Sequence, residues 1–183
     1  MKKITLLFFM LTALIYGCRT NKSLTENQSV MENTGTIAQP TDFHDASTWL
    51  LGYFTRQMMT RPPHSEWFQK GYDDYKFNDD AVKKLTGITK EGLAVKIVMG
   101  SWCPDSRREV PRFMKILDQW KFPAGSITYI GVDDSKFSPI GGYDKLDIQR
   151  VPTFILYKNN IEAGRIIENP VTSLEQDMVN ILF

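Results

Sequence analysis

Cysteine and histidine are scarce in this chain of 183 residues: Cys18, Cys103, His44 and His64 are all there is of either. None of the four stands at a ligand spacing such as Cys-x2-Cys or His-x3-His, so no metal site is expected, and no cofactor either. An excess of one charge is also lacking. Lysine and arginine number 22 against 21 aspartate and glutamate, a net charge of +1 with no basic tract. That excludes the electrostatic footprint of a nucleic-acid binder. No apolar run reaches the roughly 20 residues that a permanent bilayer-crossing helix requires, and no internal repeat is visible. With 42% hydrophobic residues the chain can bury one good core, and one domain is expected once a targeting segment is set aside.

What is present begins with that segment. Lys2 and Lys3 precede a mostly apolar stretch from Ile4 to Tyr16 that closes at Gly17-Cys18, the grammar of a secretory signal over residues 1–17. Leu14-Ile15-Tyr16-Gly17-Cys18 resembles a bacterial lipobox, which would make Cys18 the acylated mature N-terminus. The alternative is an ordinary cleaved signal with Cys18 discarded. The expected location is a bacterial envelope membrane, held by the lipid anchor alone, with the domain facing a periplasm where disulfides persist. Residues 18–40 are polar and aperiodic up to Pro40 and read as the lipidated end and a flexible tether.

The remainder, 41–183, reads as one α/β domain. Its first part, 41–88, reads as helical. Thr41 or Asp42 can cap a helix carrying Phe43, Ala46, Leu50 and Phe54 up to Arg61-Pro62-Pro63; Ser65 can start a second, through Tyr72 or Tyr75. Asn78 or Asp79 can start a third that stops at Gly87. This part is rich in aromatic residues, among them Trp49, Trp67 and Tyr75, which either pack the helices onto a sheet or form a lip beside the site described next.

Leu93 to Met99 is apolar and rich in β-branched residues, a buried strand that gives way at Gly100-Ser101 to Trp102-Cys103-Pro104-Asp105-Ser106 and then a helix. Pro104 suits the first helical position, which puts Cys103 at the N-cap beside unpaired amide N–H groups. A thiolate is favoured over a thiol in such a place. Arg107 and Arg108 push the same way and Asp105 pushes back. Strands follow at 126–132, 153–157 and 162–167, the last two joined by a hairpin at Lys158-Asn159-Asn160. Asp133-Asp134 read as turn residues, Tyr143 to Ile148 as a short helix. A final helix starts from a capping box, Thr172 with Glu175 or Ser173 with Gln176.

Trp102-Cys103-Pro104-Asp105-Ser106 after a strand resembles the active-site motif of the thioredoxin superfamily. Pro111 inside the following helix and Val151-Pro152-Thr153 before a strand stand where that superfamily carries a kinking proline and a cis-proline. The resemblance covers 93–183 and implies a thioredoxin-like fold, a central mixed sheet flanked by helices, here with a helical N-terminal extension. It also implies catalytic roles for Cys103, Ser106 and Pro152, with Ser106 able to hydrogen-bond a thiolate, and substrate contacts from Trp102, Pro104, Asp105, Val151 and Thr153. Arg107 would stabilise the thiolate. Trp102 could equally pack on the aromatic helices, and Pro152 could simply begin a strand.

The chain departs from the pattern at two positions. Ser106 stands in place of the resolving cysteine, and Ile97 in place of the buried acid that serves it. Cys103 could still attack a disulfide, but release would need an external resolving thiol. The reading is a monothiol protein exchanging with thiols or disulfides of envelope proteins. Alternatives are a redox-inactive binding or chaperone-like module, and a peroxide scavenger or purely structural protein.

Overall fold

The computed structural model describes residues 41–183; the expected signal (1–17), the lipidation at Cys18 and the tether (18–40) lie outside the described residues. In chain order the elements are β1 (Gly52–Phe54), α1 (Arg56–Met59), α2 (Ser65–Asp74), α3 (Asp79–Thr86), β2 (Leu93–Met99), α4 (Pro104–Gln119), β3 (Ile127–Gly131), β4 (Thr153–Lys158), β5 (Ile161–Ile167) and α5 (Leu174–Leu182). Short 3-10 turns lie at Ala46–Thr48, Ala124–Ser126 and Tyr143–Leu146. The five strands form one mixed sheet in the order β1-β3-β2-β4-β5. This is the thioredoxin-like α/β arrangement that the resemblance implies.

β2 is the central strand of the five, and like its neighbour β4 it buries apolar residues on both faces. It runs parallel to β3, with Ile97 opposite Tyr129, and antiparallel to β4, with Ile97 opposite Phe154. Its alternate residues Leu93, Val95, Ile97 and Met99 join the larger core cluster, with Val110, Phe113, Met114 and Leu117 of α4 and residues of α2, α3 and α5. Phe113 stacks on Phe154 with ring centroids 4.1 Å apart. Val98 points the other way, into a smaller cluster with Cys103, Ile130, Val132, Val151 and Ile155. The thiol therefore sits in the smaller of two cores.

The local signals were legible. Asn78 caps α3 by accepting from the Ala81 N–H, and Ser173 caps α5 by accepting from the Gln176 N–H at 3.2 Å. The capping box is only half made, since the Gln176 amide turns to Asn180 instead. Asn159 and Asn160 both take positive φ, 52° and 65°, in the β4–β5 turn. Asp133 accepts from Ser135 and from the Phe137 N–H, as a turn residue does.

One part of the helical N-terminal extension needs correcting. The expected helix through Phe43, Ala46, Leu50 and Phe54 does not form: a single 3-10 turn capped by Asp45 leads into strand β1, antiparallel to β3 with Gly52 opposite Gly131. Gly52 at φ 70° leaves the helical region, and the open edge of β3 supplies backbone partners that outweigh the spacing. Gly131 makes this possible. A Cβ there would lie 2.0 Å from the Leu50 carbonyl oxygen. Helices α1, α2 and α3 do fill 56–86, so the extension is helical only after Phe54.

Candidate functional site

The site lies where β2 ends and α4 begins. The Cys103 N–H donates to the Gly100 carbonyl at 3.0 Å, and the Cys103 carbonyl accepts from the Arg107 N–H at 3.1 Å, which opens α4 with Pro104 in its first turn. Cys103 is thus the N-cap, as its place before Pro104 implied. Its sulfur does not turn to the first-turn amides. Sγ donates to the Val151 carbonyl at 3.4 Å, and no side-chain cap bond is made. Cys103 is 8% exposed and is the free cysteine of the described residues.

The Val151–Pro152 bond is cis. The chain there is held by Thr153, whose hydroxyl donates to the Arg150 carbonyl at 2.6 Å, and by the Glu168 N–H, which donates to the Pro152 carbonyl at 2.7 Å. Thr153 is buried and Val151 is 3% exposed, so neither side chain offers much surface to solvent. Among the described residues nothing accepts from the Val151 N–H.

Ser106 is fully buried, and its hydroxyl oxygen accepts from the Gly100 N–H at 3.3 Å. It secures the loop beneath Cys103 and makes no hydrogen bond to the sulfur. Ile97 is fully buried in the larger core, so the place of the acid is filled by a side chain that carries no proton. Pro104 is exposed at the mouth. The Asp105 carboxylate is paired with Arg108 at 2.7 Å. Trp102 lies over Gly100, where a Cβ would meet the indole at 2.5 Å, and donates from Nε1 to the Val132 carbonyl at 3.0 Å.

Arg107 does more than neighbour the thiol. Its Nη1 donates to the carbonyls of Ser101 (3.4 Å) and Trp102 (3.3 Å), and its guanidinium lies 4.3 Å from the centroid of the Phe43 ring. Burial pulls the Arg107 pKa below its ordinary value, with Cys103 working the other way.

Sequence reasoning offered an aromatic lip beside the site, but it missed that residues 43–50 form a strap, not an α-helix, fixing this loop from the other side. The Leu50 N–H donates to the fully buried Ser101 hydroxyl at 3.0 Å, Trp49 packs on Trp102 with centroids 6.2 Å apart, and the Trp49 Nε1 donates to the Phe43 carbonyl. The Phe43 ring in turn stacks on His64. The aromatic content of the segment was the available signal; Ser101 offered none. His64 is buried, and burial followed by the charge of Arg107 pushes its pKa down. Among the described residues no group of His, Cys, Asp and Glu side chains could hold a metal ion.

No known family profile matches the chain, and no curated protein matches it. Solved structures do. A Pseudomonas aeruginosa protein of unknown function superposes at a TM-score of 0.43 with 13% identity, covering 64% of this chain and 78% of that one. Thioredoxin O2 of Arabidopsis thaliana in its oxidized state gives 0.38 at 18% identity, covering 60% of this chain and 92% of its own. Thioredoxin O1 from the same plant gives 0.38 at 21%, covering 60% and 96%. These likenesses are distant, and the strand order and site geometry stand without them.

Proposed function

We propose that this chain is a monothiol thioredoxin-like protein that takes part in thiol–disulfide exchange through Cys103 and depends on an external thiol for release. The observation that carries the reading is the meeting of a helix N-cap cysteine with the Val151–Pro152 loop, Cys103 Sγ facing the Val151 carbonyl at 3.4 Å, with a buried serine where a second thiol would stand. The thiolate form of Cys103 attacks one sulfur of a partner disulfide. A new sulfur–sulfur bond forms, the partner's old one breaks, and its second sulfur leaves as a thiolate; the Cys103 proton has gone to solvent. The free Val151 N–H is available to pair with the partner's backbone as an added strand would. Ser106 cannot displace the partner, so the partner's own thiol or a third molecule must.

The signal-like start and the lipobox-like Cys18 support the further reading of a lipid-anchored domain facing the periplasm, with envelope protein thiols or disulfides as partners. The experiment is covalent capture. The soluble form beginning after Cys18 is incubated reduced with a disulfide-bonded protein, and adducts are sought on non-reducing gels and by mass. Capture by the native chain that disappears in Cys103→Ala supports exchange.

A second reading has an observation in its favour. Cys103 is nearly closed off and donates as a thiol inside an apolar cluster, as a redox-inactive binding module would hold it. Partner binding that survives Cys103→Ala with no adduct at any point would select that reading.

A further inference from the structure

We propose that Arg107 is a specificity-determining residue, which makes Cys103 exchange preferentially with disulfides that carry negative charge beside the reacting sulfur; this rests on the exchange reading above. The reason is a charge balance around the site. The first turns of α4 carry Arg107, Arg108 and Arg112 against Asp105 and Glu109. Arg108 pairs with Asp105 and with Glu109, both at 2.7 Å, and Arg112 pairs with Glu109 at 2.9 Å. On the other side of the sulfur Arg150, next to Val151, pairs with Glu168 at 2.9 Å. Arg107 has no carboxylate partner among the described residues.

Its position is fixed, which matters for selectivity. Nη1 is tied to the carbonyls of the two residues before Cys103, the guanidinium is laid against Phe43, and Nε and Nη2 have no acceptor among the described residues. The acids of the strap are turned to the backbone, Asp42 accepting from the His44 N–H and Asp45 from the Ser47 N–H. Asp133, beyond the carbonyl that receives Trp102, accepts from Ser135 and Phe137. An incoming carboxylate therefore meets a held cation with donors to spare, while an incoming lysine or arginine meets uncompensated positive charge. Partners of this chemistry are protein segments or small thiols with an acidic group adjacent to the sulfur.

The test compares two aromatic disulfides, the dianionic dithiobis-nitrobenzoate and the uncharged dithiodipyridine, each reacting with Cys103 of the folded, reduced chain beginning after Cys18. Rates are normalised to those of N-acetylcysteinamide, a neutral free thiol. The normalised ratio of dianion to neutral reagent should exceed one at low salt, fall toward one as ionic strength rises toward molar, and drop about fivefold in Arg107→Met. Arg107→Lys should retain most of it, and Lys83→Met on α3 all of it. A role in holding the loop alone would change both reagents' rates together and leave the ratio where it was, which would overturn the inference while leaving exchange intact. A native ratio of one at low salt would do the same, even if Arg107→Met proved too unstable to assay. A folded chain whose Cys103 reacts with neither reagent would overturn the exchange reading itself.

Discussion

One face of the sheet lies under helices α2 to α5, whereas the other is covered only at the end that carries Cys103. On the first face every inward residue of β2 is buried, and Phe113 and Phe154 meet ring to ring. On the second, Val98 is fully buried under the loop that supplies Ile140, Tyr143, Leu146 and Ile148, but Lys96 and Ala94 on the same face stay partly exposed. Lys96 there lies 4.8 Å from the centroid of the Tyr157 ring. The difference separates the larger core from the candidate site. The thick face carries the larger core, while on the thin face Cys103 sits among Val98, Ile130, Val132, Val151 and Ile155, with Ile140, Tyr143, Leu146 and Ile148 packed against them.

The comparison can be broken most severely on the thick face. Phe113→Ala should lower the free energy of unfolding by about 3–5 kcal/mol, read from urea denaturation, because the site cannot collapse around the stacked Phe154 ring. Next comes the strap. Gly131→Ala puts a Cβ against the Leu50 carbonyl, and the necessary shift should cost about 2–3 kcal/mol; limited proteolysis should then cut residues 41–54 well before the sheet. Smaller again, Ser101→Ala leaves the buried Leu50 N–H without its acceptor and should cost about 1–2 kcal/mol by the same denaturation.

His64 sharpens the comparison through pH. Its folded-state pKa is depressed by burial and by Arg107, so the fold favours neutral imidazole. The associated stability is fully present above the unfolded pKa of about 6.5 and is lost as pH falls below it toward the lower folded value. Denaturation midpoints taken between pH 7.5 and pH 5.5 should fall in the native chain and fall less in His64→Phe. The smallest effect belongs to the open part of the thin face. Lys96→Met should change stability by less than about 0.5 kcal/mol; a loss of several kcal/mol would mean that this face is a packed core after all.

Much of the fold was readable because its signals are local. The apolar run Leu93 to Met99, rich in β-branched residues, marks a buried strand, Asn78 or Asp79 and Thr172 or Ser173 announce caps, and Asn159-Asn160 supplies the left-handed turn. The first strand was not readable. Phe43, Ala46, Leu50 and Phe54 recur at helical spacing, and only the free edge of β3, together with the missing side chain of Gly131, turns that segment into β1. The site shows the same division. Cys103, Pro104 and Pro152 stand out in sequence, whereas Ser101, Phe43 and His64 acquire their parts from long-range contacts that leave no pattern near them.

By itself the sequence determined that a cysteine would cap a helix after a buried strand with no second thiol one turn away, since helix capping and residue identity are properties of a few consecutive residues. Tertiary structure alone decided that the sulfur faces Val151, that Ser106 secures the loop through Gly100, and that Arg107 has no carboxylate partner among the described residues. Those outcomes depend on which distant groups the folded sheet brings within hydrogen-bonding distance, a matter of geometry that no local pattern encodes.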